Sequence, residues 1–136
     1  MTKQQLVVSV LESMGYKPQI DGDGDVKFRF QLKQLYVMET LDEETNYLVV
    51  VYPHFYILQG GEESKALVAC NKLTREAIFA KVYVEETLSG VSACCDFYYS
   101  DKESMAFNFK RAFEVLGLVR TAFYNEMETG QMHLKE

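Results

Sequence analysis

Long apolar runs are missing from this sequence. The longest, such as Leu48 to Tyr52, fall far short of the roughly 20 residues a membrane-spanning helix needs, so no membrane partner is expected. Positive charge is short too: 14 basic residues stand against 20 acidic ones, for a net charge of −6, with no long basic run. A nucleic-acid backbone needs a concentrated positive surface, so nucleic acid is not expected as a partner either. Cysteine is scarce and odd in number: Cys70, Cys94 and Cys95, two of them adjacent. That does not make a disulfide framework, and reduced thiols in a cytoplasmic protein are the simpler expectation. No secretory signal is visible, because Met1-Thr2-Lys3-Gln4-Gln5 leads directly into an amphipathic segment.

Catalytic groups are sparse as well. Only His54 and His133 represent histidine, and neither has a second metal ligand at zinc-site spacing. Cys94 and Cys95 on a strand would point to opposite faces and could not grip one ion together. Gly60-Gly61 lacks the spacing and the following Lys-Ser/Thr of a phosphate-binding loop. Acidic pairs such as Glu43-Glu44 and Glu85-Glu86 fit solvated turns and strand ends. No cofactor, metal or enzymatic activity is therefore expected. One opening remains, since a Cys–His pair can form between residues distant in sequence.

What is present suits one domain over 1–136, with 48% hydrophobic and 25% charged residues. Thr2 and Gln5 have capping-box spacing, and Leu6, Val7, Val10, Leu11 and Met14 then form one apolar stripe. A helix from about Thr2 to Met14 follows, ended by Gly15 and Pro18. Val26, Phe28, Phe30 and Leu32 alternate with polar residues as a half-buried strand. Further strands are expected over Leu35 to Thr40 and Tyr47 to Tyr52, where Pro53 ends the strand or marks an edge. Phe55 to Leu58 could continue it after a bend. A helix over Glu62 to Leu73 precedes two strands, with Ile78, Ala80, Val82 and Val84, then Val91, Ala93, Cys95 and Phe97, facing inward. A long helix from about Asp101 to Met127 closes the chain, capped by Ser100 with Glu103. Gly117 is a possible bend in it, and 128–136 is expected to fray. The order α-β-β-β(-β)-α-β-β-α predicts an α+β fold of two layers, an antiparallel sheet backed by helices.

One stretch imitates a metal site. In Ile20-Asp21-Gly22-Asp23-Gly24-Asp25-Val26, three aspartates alternate as in a calcium loop. Counted from Asp21, position six is Val26 and position twelve Leu32, where such a loop needs glycine and a bidentate glutamate. The chain also continues as a strand. A turn is expected here, with no specific calcium binding.

Several strands are apolar on the outward side too. If Leu48, Val50 and Tyr52 face the core, Tyr47, Val49 and Val51 face away, joined by Tyr36 and Met38 and by Phe79 and Tyr83. Either a helix or the sheet's own curvature covers them, or they bind a polypeptide or a second copy of the chain.

The helix ending at Gly15-Tyr16, the Asp-Gly turn before Val26-Lys27-Phe28, the Asn71-Lys72-Leu73 stretch, the paired strands after it and the Phe-rich last helix resemble the YbjN-like family. These are small bacterial proteins often labelled sensory transduction regulators. The resemblance implies a fold similar to the class I chaperones of type III secretion, and brings no catalytic residues. With the two-faced strands, it leads to the expectation of a non-catalytic protein-binding module, chaperone-like or regulatory. The other possibility is a small-molecule-binding domain or weak enzyme. Its pocket would lie between the sheet and the last helix, with His54, Cys70 or Tyr56 converging there.

Overall fold

A computed structural model describes residues 1–134, with side chains described through residue 128. The elements are α1 (Lys3–Ser13), β1 (Gln19–Ile20), β2 (Val26–Phe30), β3 (Lys33–Met38), β4 (Tyr47–Ile57), α2 (Glu63–Glu76), β5 (Ala80–Val84), β6 (Gly90–Tyr98) and α3 (Lys102–Leu134). All strand pairings are antiparallel, in the sheet order β1-β2-β3-β4-β6-β5. The predicted α+β class and element order hold. The optional fourth strand comes from Gln19–Ile20, whereas Phe55 to Ile57 extends β4. No described helix is long and apolar enough to cross a membrane. The end expected to fray, 128–136, reaches outside the described residues.

Local chemistry starts and stops the helices. The Thr2 side chain accepts from the Gln5 N–H, and the Gln5 side chain accepts from the Thr2 N–H. That reciprocal box satisfies two donors the first turn of α1 would leave open. At α3 the expected cap shifts by one residue: Asp101 accepts from the Ser104 N–H at 2.8 Å, and Ser104 Oγ accepts from the Asp101 N–H at 3.0 Å. A carboxylate is the stronger acceptor at that positive helix end, so Asp101 displaces Ser100.

The core lies between the sheet and the helices. Val7 and Leu11 of α1, Ala66 and Cys70 of α2, and Met105, Phe109, Phe113, Leu116 and Phe123 of α3 join the inward strand residues in one buried cluster. Large rings dominate it, and Phe28, Phe109, Phe113 and Phe123 are fully buried. Each such ring contributes about 1.5–3 kcal/mol relative to solvent exposure. Gly117 makes no break in α3. A Cβ there would stand 3.0 Å from Phe30 Cε2, so the glycine lets the helix pass close to the β2 end.

Three expectations fail. Leu32, expected on the buried face of the Val26 strand, lies in the turn after β2 at φ 68° and is 88% exposed. Ile78 lies before β5 and is 77% exposed, because the ladder begins only at Ala80. Pro53 neither ends β4 nor lies at an edge, for β4 runs on to Ile57 between β3 and β6. The register shifts between Tyr52 and Tyr56, with His54 at φ 44°, and that bulge accommodates a proline in a central strand. The His54 N–H donates to Ser92 Oγ at 2.9 Å, replacing a ladder bond that the bulge removes.

Lys3 ties the start of α1 to the loop before β4. It is 4% exposed, and its ammonium donates to the Asp42 carbonyl at 3.0 Å and the Tyr47 carbonyl at 2.7 Å. Its own N–H donates to the Glu43 carboxylate. Burial lowers the Lys3 pKa from its ordinary value, and the Asp42, Glu39 and Glu43 charges oppose that shift.

Candidate functional site

The helices lie on one side of the sheet, which leaves the other side open among the described residues. Its surface follows from strand register. Lys27, Tyr36, Val51, Cys94 and Lys81 stand opposite one another in a row across five strands. Met38, Val49 and Asp96 form the next row, then Tyr47 beside Tyr98, with ring centroids 5.3 Å apart. Tyr83 stands opposite Ser92 near the other end. Tyr36, Tyr47, Val49, Val51 and Tyr83 are half-buried, and Met38 is exposed. None of these six packs against the helix-covered core. Their partial shelter comes from cross-strand neighbours.

Phe79 departs from this group. Alternation from Tyr83 and Lys81 would put it on the open face, but its φ of 83° breaks the pleat. Its ring instead lies 6.0 Å from Phe97, at the border of the buried core. Strand periodicity places a side chain only while the backbone stays extended.

The open face also carries polar residues that did not stand out by composition. Asp96 Oδ2 accepts from the Tyr47 hydroxyl at 2.7 Å and from the Lys81 ammonium at 3.1 Å. The hydrogen bond to Asp96 pushes the Tyr47 phenol up to about 12, and the Tyr47 and Lys81 donors hold Asp96 below the usual carboxylate range. This satisfied trio pins one border of the apolar rows. Cys94, Asp96 and Tyr98 are the outward set of β6. Only the register shows them beside Val49 and Val51.

Burial disfavours the thiolate form of all three cysteines. Burial raises Cys70 to about 11 and Cys95 to about 12, and raises Cys94 too, against the neighbouring Lys81. His54 is exposed, with Nε2 3.3 Å from Ser89 Oγ, and Tyr56 donates to Glu62 at 2.7 Å. Cys70 is buried on α2, so His54, Cys70 and Tyr56 each have separate surroundings. His133 lies outside the residues whose side chains are described. Ser92 Oγ bonds Glu85 and accepts from the His54 backbone N–H rather than from its ring, so these three residues brace the bulge. A groove of about 340 Å³ does run between α2, the start of β5 and α3. Leu73, Ile78, Val115 and Leu118 line it, and none of the three converging candidates does.

The aspartate stretch is a turn. The Asp21 N–H donates to the Asp25 carbonyl at 2.9 Å, and Asp21 Oδ1 accepts from the N–H groups of Asp23 and Asp25. The three carboxylates nevertheless gather within 4.8 Å of one another. Burial, then the charges of Asp21, Asp23 and Glu39, raise the Asp25 pKa. Three carboxylates, one already occupied by backbone donors, fall short of the about six to eight oxygens that calcium takes. Calorimetric titration with calcium is expected to give no saturable heat. Tight one-to-one uptake would overturn that expectation.

No family model and no curated protein matches this sequence. Among solved structures, the chain is similar to the crystal structure of YbjN from E. coli, described as a candidate transcription regulator. The two superpose with a TM-score of 0.65 at 8% identity, over 95% of this chain and 92% of that one. At such identity the likeness concerns the fold alone.

Proposed function

We propose that this protein is a non-catalytic binding module, regulatory or chaperone-like, that takes a polypeptide partner on its open sheet face in the cytoplasm. One observation carries the reading: Tyr36, Val49 and Val51 lie side by side on a face that no described helix covers. Contiguous apolar surface of this kind, bordered by polar groups, is typical of protein interaction sites. The Tyr47–Asp96–Lys81 trio supplies such a border. The raised pKa values of all three thiols support a non-catalytic role, and the fold shared with a protein described as a regulator is compatible with it.

Val49→Asp tests the reading. It places a charge in the middle of the apolar rows, where burial against a partner would cost several kcal/mol. Pull-down and sedimentation should show a partner, or a second copy, bound to the native chain and lost from the variant. A folded, monomeric native protein whose partners are the same as those of the variant would overturn it.

A further inference from the structure

A second feature lies at the edge of the sheet, where β1 stops. That strand meets β2 at two positions only, Gln19 opposite Lys27 and Ile20 opposite Val26. Before Gln19 the chain leaves β2 for the end of α1, and a cleft of about 540 Å³ opens there. Tyr16, Lys17 and Gln19 line one side, and Lys27, Arg29 and Gln34 the other. Gly15, at φ 95°, turns the chain out of α1, and the Tyr16 ring then packs 5.5 Å from Phe113 and 5.2 Å from Phe28. One wall is thus anchored in the core.

Three cations line this one cleft. Among the described residues, Lys17, Lys27 and Arg29 make no ion pair. The acidic turn at Asp21 to Asp25 lies at the opposite end of the short β1–β2 pairing, beyond Ile20. Lys17 and Arg29 occupy the far side from it.

The backbone adds a donor. Phe30 and Lys33 close the two-residue turn at Gln31-Leu32, which makes them a hydrogen-bonded pair. Alternation along the ladder makes Phe28 with Leu35 and Val26 with Val37 hydrogen-bonded pairs as well. Lys27 and Arg29 therefore direct their N–H and C=O groups away from β3. Lys27 meets Gln19, in step with the Asp21-to-Asp25 bond two residues on. Arg29 has no residue opposite it, because β1 begins at Gln19, and its N–H opens toward the cleft.

We propose that this cleft binds a small organic anion, whose carboxylate or phosphate group is held by Lys17, Lys27 and Arg29. The volume suits a metabolite-sized body, which falls within the usual range for ligand clefts, about 300–1,000 Å³. Gln19 and Gln34 provide neutral donors and acceptors around that body, and the Tyr16 ring provides an apolar contact. Arg29 contributes a planar guanidinium suited to two-point binding of an oxyanion, with its own N–H beside it. The cleft gathers three of the 14 basic residues in a chain of net charge −6, a small local set that favours a compact anion over a nucleic-acid backbone.

Amide chemical-shift titrations of the labelled protein test this with four probes: glucose 6-phosphate, citrate, inorganic phosphate and uncharged glucose. The expected result is saturable shifts from glucose 6-phosphate or citrate, centred on Gly15 to Gln19 and Lys27 to Gln34, with glucose silent. Which of the two acts tells phosphate from carboxylate. Replacing one charged hydrogen-bonding partner should weaken binding about tenfold, so Lys27→Ser and Arg29→Ser should each do so. Raised salt should weaken it further. Val49→Asp should leave the titration unchanged, so this site and the open face stand or fall separately. No saturable response would overturn the proposal, as would equal binding by the Lys27→Ser/Arg29→Ser double variant. Binding of inorganic phosphate alone, with both organic probes silent, would also overturn it as an adventitious ion only.

Discussion

Phe113→Ala is expected to remove about 3–5 kcal/mol of folding stability, the range for deleting a buried aromatic ring. Phe113 is 1% exposed, and four other rings surround it. Its centroid lies 4.8 Å from Phe28, 5.5 Å from Phe109 and Tyr16, and 5.8 Å from Phe30. These contacts join the segment after α1 to β2 and α3, so a cavity here loosens all three. Because total stability of a domain is only about 5–15 kcal/mol, the variant should unfold at markedly lower urea concentration. Phe107 on the same helix is the control: it is 67% exposed, and Phe107→Ala should shift stability by no more than about 0.5 kcal/mol. Equal midpoints for the two variants would contradict the packing described above. The same substitution also releases Tyr16, so any anion binding in the cleft should weaken with it.

Gly90→Ala should destabilise by about 1–3 kcal/mol, the range for overpacking a closely packed site. A Cβ at Gly90 would lie 2.9 Å from the Tyr56 carbonyl oxygen and would also meet the His54 ring. The carbonyl belongs to the backbone of a central strand and cannot swing aside. Without that clash the change would favour the fold by about 0.4–1 kcal/mol, because alanine restricts the unfolded chain. Gly60 offers the comparison, since a Cβ there meets nothing within 4 Å. Thermal unfolding should therefore move in opposite directions for Gly90→Ala and Gly60→Ala. A stabilised Gly90→Ala protein would mean that the bulge around His54 relaxes freely.

How far the sequence reaches can be judged residue by residue. Thr2 and Gln5, Gly15, and the alternation from Val26 to Phe30 are local signals, and the structure uses each as expected. The Asp21 turn was legible because the calcium register failed at Val26 and Leu32. Of the seven outward residues, six stand on the open face, since they lie in extended strands where the two-residue period holds. Phe79 does not, because one left-handed backbone angle overrides that period.

Sequence alone determined the order of helices and strands, the α+β class and most of the inward and outward assignments. Each depends on patterns within a dozen residues, where periodicity and capping act directly. Tertiary structure alone decided which strands are neighbours, and with that everything that depends on adjacency. It placed Pro53 in a central strand, buried Lys3 between two carbonyls, and set Asp96 between Tyr47 and Lys81. It also brought Lys17 to the same cleft as Lys27 and Arg29, where β1 leaves an edge unpaired. Such meetings depend on register between distant segments, which the spacing of residues along one strand does not encode.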